Sequence, residues 1–265
     1  MPSWSTVRDL LDRLESAGIH LDCPLSPEIV PVEWDAVPSE VGPTGGMMEG
    51  LRAQRKRWQV ENIVHMLRGV VRPGSVIVDF GASSGNLGLP VAACFPESQV
   101  YIVDKKPRTV DIARRRIEQS GLKNVSLYPG FVQEVTFPFE IGMGLHLCGD
   151  GTDQAQQLCL ERGAVYVMAP CCIGFIQRSS LPYPRSRLFA DVLDRQEYDW
   201  LASAADWTCR DESSEQHGRG KRCMGFINLD RNLAAEEVGY ETAHFTMNPS
   251  DATPKNEIII GKPSL

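Results

Sequence analysis

The sequence has no apolar run approaching the roughly 18 residues needed to cross a bilayer. The stretch from Met1 to Leu10 lacks the charged-then-apolar pattern of a secretory leader. Internal repeats and low-complexity tracts are missing too. There is no surplus of positive charge: 27 Lys and Arg stand against 34 Asp and Glu, a formal net charge of −7. That balance excludes a protein that coats nucleic acid through a broad basic surface. The eight cysteines show no framework spacing, and the adjacent pair Cys171-Cys172 cannot form an unstrained disulfide with itself. These absences point to a soluble, cytoplasmic chain with reduced thiols and no membrane partner. The pattern carries no information on oligomeric state.

What is present is an ordinary globular composition, 42% hydrophobic and 23% charged over 265 residues, enough to bury a sizeable core. Residues 1–50 read as an N-terminal extension or lid. One short helix near Ser5–Ala17, with Val7, Leu10, Leu11 and Leu14 on one face, precedes a stretch punctuated by Pro24, Pro27, Pro31, Pro38, Pro43 and Gly45-Gly46. From Leu51 to the end the chain reads as one domain. A helix over Leu51–Val70 is followed by alternating apolar runs and helical patterns. Strands are predicted at Val76–Val78, Gln99–Val103, Val125–Tyr128, Ile141–Leu147 and Ala164–Met168. Helices are predicted at Asn86–Cys94, Arg108–Gln119, Thr152–Glu161, Ser186–Ala204 and Met224–Val238. Asp211–Gly220 is polar, with no regular element expected. Two extended runs, Glu241–Met247 and Glu257–Gly261, close the chain without a helix between them.

That alternation implies an α/β fold with a mainly parallel sheet and helices on both faces. The final pair of strands adds an antiparallel hairpin at one edge, the arrangement of a seven-stranded Rossmann-like class I methyltransferase. The first strand leads into Asp79-Phe80-Gly81-Ala82-Ser83-Ser84-Gly85-Asn86-Leu87-Gly88, at the strand ends where open α/β sheets bind ligands. Gly81 lets the chain turn off the strand, Gly85 makes room for a ligand, and Gly88 allows close helix-on-sheet packing. A dinucleotide fingerprint needs glycine where Ser83 stands, and a phosphate-binding loop needs Gly-Lys-Ser/Thr where Gly85-Asn86-Leu87 stands. An acid at a strand end, followed by a glycine turn, suits a ligand with an amino group and no phosphate. Asp104, closing the second strand, sits where a carboxylate accepts from ribose hydroxyls. S-adenosylmethionine fits this set. Its expected contacts are Asp79, Phe80, Gly81, Ala82, Ser83, Gly85, Asn86, Leu87, Asp104 and Lys105, with Gly130, Phe131 and Val132 at the adenine and His146 beside them.

A second group follows the fourth and fifth strands: Leu145-His146-Leu147-Cys148-Gly149, Thr152-Asp153, and Pro170-Cys171-Cys172 with Gly174-Phe175-Ile176-Gln177. These words, with Lys221-x-Cys223-Met224, Leu229-Asp230-Arg231, Ala235-Glu236-Glu237 and Pro254-Lys255-Asn256, resemble the methyltransferase domain of the glutathione S-transferase C-terminal domain-containing family. The resemblance runs from about Arg52 to Pro263. A more distant one links the paired cysteines and His-x-Cys-Gly to transfer-RNA 2′-O-methyltransferases of the Trm type. It implies the fold and the cofactor. Fewer than 51 residues precede the domain here, too few for a transferase-like domain, so no glutathione role is expected.

Three chemistries remain open for the catalytic candidates Asp153, His146, Cys171 and Cys172. A cysteine of the pair can attack a pyrimidine ring. Asp153 or His146 can act as a base toward a hydroxyl or nitrogen while the cysteines pack the pocket. His146, Cys148, Cys171 and Cys172 can bind zinc, although their spacing matches no common zinc motif and no metal is expected. The reading preferred is transfer driven by alignment of acceptor and methyl group. The partner expected is RNA, transfer RNA first, held by local basic clusters in an acidic chain. Arg55, Lys56, Arg57 and Arg178 are the phosphate contacts named, among further bunches at Arg114-Arg115-Arg116, Arg185-Arg187 and Arg219-Lys221-Arg222. A small molecule or a protein as acceptor, or a non-catalytic cofactor-binding role, are the alternatives.

Overall fold

The computed structural model describes residues 2–46, 48–209, 211 and 213–264. Met1 and Met47 of the expected extension, Glu212 of the expected polar stretch, and Arg210 and Leu265 lie outside the described residues. Seven strands form one sheet: β1 (Val76–Phe80), β2 (Gln99–Asp104), β3 (Val125–Pro129), β4 (Ile141–Leu147), β5 (Val165–Pro170), β6 (Tyr240–Thr246) and β7 (Glu257–Pro263). Their order is β3-β2-β1-β4-β5-β7-β6. The first five run parallel, whereas β7 is antiparallel to both β5 and β6. The chain leaves β1 toward β2 and β3 and then returns to β4 on β1's other side. The crevice beyond the ends of β1 and β4 is therefore the switch point where such sheets bind ligands.

Successive strand residues serve opposite faces, as the pleat requires. Ile77, Ile102, Val167 and Ile258 pack into one core with Val60, Ile63, Val64 and Leu67 of α2 (Gly50–Arg68). That core also takes Leu89 and Val91 of α3 (Gly88–Cys94) and Ala113 of α4 (Pro107–Ser120). Their neighbours Val78, Val103, Met168 and Ile259 pack on the other face, with Ala155 and Cys159 of α5 (Gly151–Arg162). A third cluster joins α1 (Trp4–Ser16), α6 (Arg187–Ala190), α7 (Arg195–Ala205) and part of α8 (Glu215–Glu236). Val7, Leu10, Leu11 and Leu14, the stripe read from the sequence, are its α1 members.

Two helical expectations are corrected. The single helix over Ser186–Ala204 is two, because Asp194 caps α7 by accepting from the Glu197 amide while Glu197 accepts from the Asp194 amide. The stretch Asp211–Gly220 is helical from Glu215, started by Ser214, whose hydroxyl accepts from the His217 amide. Its glycines hide that helix from pattern reading. At Gly220 a side chain would lie 2.5 Å from the Thr208 amide nitrogen, so the glycine is where the helix meets the loop after α7.

Candidate functional site

Asp79 is the last residue but one of β1, beside the loop that follows the strand. One carboxylate oxygen accepts from the Gly88 amide at 2.8 Å, which holds the start of α3 on the sheet. The other is buried with no hydrogen-bond partner among the described residues. Burial, only partly opposed by the Gly88 amide, pushes the Asp79 pKa up to about 8. A buried acceptor left open beside a cavity is costly unless a ligand fills it. Asp79, Gly81, Ala82, Ser83, Asn86 and Leu87 line a cavity of about 310 Å³ with Pro43 and Lys56.

Gly81 turns the chain with φ +61°, and a side chain there would strike Leu147 at 2.2 Å. Gly88 packs as expected, 2.7 Å from Ile102 at its missing side chain. Gly85 differs from its expectation. Its open side faces Ile102 and Leu89, not the cavity, so it serves the turn alone. Phe80 is also corrected as a side-chain contact: it is fully buried against Phe139 in the core.

Asp104 closes β2 at the shared wall of that cavity and a second one of about 480 Å³. Its carboxylate accepts from the Ser83 amide and the Lys106 amide, both at 2.8 Å, and from the Thr109 hydroxyl at 2.9 Å. A carboxylate has about four acceptor sites, so one is left for a ligand hydroxyl. Lys105, Gly130, Phe131 and Val132 line the second cavity, where the Lys105 ammonium sits 4.7 Å above the half-exposed Phe131 ring. Lys106, which sequence reading passed over, lines both.

His146 stands where the two cavities meet a third, of about 280 Å³, lined by Arg52, Arg55, Lys56, Gln59 and residues 251–254. Leu145 pairs with Ala169 and Leu147 with Pro170, so His146 is the extra residue of a bulge, at φ +64°. A left-handed backbone at a non-glycine residue costs free energy and re-aims the side chain. The Gln59 amide group donates to the Ala252 carbonyl at 2.7 Å, which turns its oxygen toward His146 Nε2, also 2.7 Å away. The Lys56 ammonium lies 3.2 Å from the same nitrogen, so the Gln59 oxygen calls for a proton on Nε2 and the ammonium for its lone pair; the neutral ring holds one of each in either tautomer. Burial first, and then the Lys56 charge, hold the His146 pKa down to about 4, so the ring is neutral near pH 7. Gln59 was missed in the sequence. Its signal was a polar residue on the buried stripe of α2, beside Val60 and Ile63.

Asp153 is not a base at this site. It is fully buried, both its oxygens are held by Arg231 at 2.9 and 2.8 Å, and Tyr183 donates to it at 2.9 Å. It lines none of the three cavities. Cys171 is buried and Cys172 half-buried, and neither lines them, although Cys148 does.

The basic clusters divide. Arg52, Arg55 and Lys56 face the third cavity, Arg55 paired with Asp251 at 3.2 Å. Arg57 instead lies over the Trp34 ring, and Arg178 over Phe175. Arg219, Lys221 and Arg222 are taken up by Glu215, Glu257 and Glu15. Arg116 is buried. It donates to the carbonyls of Glu40, Gly42 and Ser84 and to the Asn86 side chain, joining the N-terminal segment to the loop after β1.

Comparison with known proteins gives the family that the chain resembles. Residues 55–179 match the family described as "Methyltransferase domain". The chain is similar to the glutathione S-transferase C-terminal domain-containing protein of Bos taurus, 35% identical over 97% of this chain and 41% of that protein. It is 32% identical to the homolog from Drosophila melanogaster over 87% of this chain and 40% of that protein. It thus spans about two fifths of the length of these relatives. Among solved structures, a SAM-dependent methyltransferase from Aquifex aeolicus is 13% identical, covering 81% of this chain and 98% of that chain with a TM-score of 0.47. Residues 55–179 thus match a methyltransferase domain, and the open Asp79 oxygen, the glycine turn and Asp104 fit S-adenosylmethionine as its cofactor.

Proposed function

We propose that the chain transfers a methyl group from S-adenosylmethionine to RNA, with transfer RNA the first acceptor to assay. The observation that carries this is the third cavity. In a chain of net charge −7, Arg52, Arg55 and Lys56 gather on one turn of α2 and open onto His146, at the wall shared with the cofactor cavities. Cations set beside a reaction centre suit an acceptor with a phosphate next to the reacting atom. The cofactor supplies an electrophilic methyl group on a sulfonium. On this reading Asp79 holds the amino group, and Gly81, Ala82, Ser83, Asn86 and Leu87 shape the methionine end. Asp104 meets the ribose, and Lys105, Gly130, Phe131 and Val132 flank the adenine. His146, through the lone pair of its neutral ring, takes the acceptor's proton. Residues 1–50 act as an extension that closes the methionine end through Pro43.

The test is transfer of labelled methyl from S-adenosylmethionine to fractionated RNA, run beside Arg52→Ala and Arg55→Ala chains. Each variant should weaken RNA binding about uniformly across sequences and lower the salt slope by about 1. Cofactor binding with no label entering any RNA fraction, or binding indifferent to both arginines, would overturn the RNA reading and leave the cofactor site standing.

A further inference from the structure

The thiols of Cys148, Cys171 and Cys172 lie within 4.8 Å of one another, on the loops that leave the adjacent strands β4 and β5. The proposed methyl transfer does not use them. We propose that they form a metal site, three thiolate ligands for one zinc-class cation, with the fourth position open toward the cavity that Cys148 lines.

Four observations support it. The first is distance. Zinc–sulfur bonds of about 2.3 Å in a tetrahedron set the sulfurs about 3.8 Å apart. The pair Cys148–Cys171 is at 2.9 Å and all three thiols lie within 4.8 Å of one another, so the spacing brackets that of a zinc tetrahedron.

The second is the scaffold, which is held from outside the trio. The Gly149 amide donates to the Cys172 carbonyl at 2.9 Å. The Ile173 and Gly174 amides donate to Asp206 at 3.1 and 2.9 Å, and Lys255 pairs with Asp206 at 2.7 Å. Supporting contacts of this kind fix the orientation of metal ligands.

The third is charge. Three thiolates and a divalent cation leave a net −1, and Lys56 and Lys106 are the cations whose charges reach Cys171 and Cys148. Asp206 is the acid that faces Cys172.

The fourth is stoichiometry of use. A Cys148–Cys171 disulfide would leave the third thiol idle and would need an oxidant, whereas one cation employs all three. Binding forms three metal–sulfur bonds and expels the thiol protons to solvent, with no redox change. The sequence raises these three thiols with His146 as a zinc set, and spacing argues against it only because the ligands come from two loops and form no Cys-x-x-Cys unit.

The experiment is titration of the reduced, metal-free full chain with zinc against a chromophoric chelator, with cobalt as an optical reporter of thiolate ligation. One ion per chain should bind, with the thiolate-to-cobalt absorption. Cys148→Ser and Cys172→Ser should each weaken zinc by at least about tenfold, and Cys209→Ser should leave it unchanged. Cys148 is exposed, so its serine variant keeps the fold, as far-ultraviolet dichroism would verify. No stoichiometric uptake at micromolar zinc, or uptake untouched by Cys148→Ser, overturns the site. So does a reduced chain that takes no metal yet loses two hydrogen masses at Cys148–Cys171 under mild peroxide, which would make the pair a disulfide.

Discussion

Substituting Asp79 by Asn tests the cofactor site most directly, because the wild-type chain couples ligand and proton there. The folded-state pKa of about 8 stands far above the ordinary 3.8, so at pH 7 the carboxyl is about nine-tenths protonated. A cofactor ammonium reaching its open oxygen favours the carboxylate, and binding then releases close to one proton. The release fades above pH 8, where the group is already ionised. Between pH 8 and pH 6 the apparent Kd should rise about 50-fold from this group. The Asn variant should bind about 10- to 100-fold more weakly at pH 8, from the loss of a charged hydrogen bond worth about 1.5–3 kcal/mol. It should also show no proton release. Calorimetry in two buffers of different ionisation enthalpy reads both. The stability of the unliganded chain carries the matching sign. The folded state holds a proton that the unfolded state gives up above pH 3.8, so stability declines as pH rises from there to about 8. A wild-type chain whose binding neither releases a proton nor weakens from pH 8 to pH 6 would refute this account of Asp79.

Asp153→Ala should cost about 3–5 kcal/mol in denaturant unfolding, since it leaves the Arg231 guanidinium buried without its partner. Full stability with lost turnover would instead restore Asp153 to the chemistry. His146→Asn keeps a residue tolerant of the left-handed backbone at φ +64°, and turnover should fall about 10²- to 10⁴-fold. Gln59→Leu should lower turnover in the same direction by freeing the His146 ring, and Gln59→Glu should restore part of it. Unchanged single-turnover rates in His146→Asn would remove the ring from the reaction.

Much of the fold was legible because strand and helix periods are local. Ile77 and Val78 or Val167 and Met168 announce a sheet covered on both faces, and the strands at the end of the chain announce the hairpin. Asp79, Gly81 and Asp104 were legible for the same reason, each fixed by its own strand end. Legibility failed where a residue's role depends on what packs against it. Asp153 reads as a base until Arg231, 78 residues on, takes both its oxygens. Gln59 has no meaning until Ala252 turns it toward His146. Arg116 reads as one of a solvated basic run until the carbonyls of Glu40 and Gly42 close on it. Helix α8 was cut short because Gly218 and Gly220 look like turn signals, although Gly220 packs against the loop at Thr208.

Arg116 makes the order of residues 40–42 and that of residues 84–86 one equilibrium. Its guanidinium holds both at once, and burial lowers its pKa to about 10. Coupling of this kind is reciprocal. Whatever a cofactor does to steady Asn86 it also does to Gly42, so hydrogen exchange should slow in the N-terminal segment when only the loop is touched. Anything that draws the segment away, such as a protease, a neighbouring domain or a modification near Glu40, must weaken the cofactor by the same factor. The extension thereby becomes a control input to a site from which it is distant in sequence.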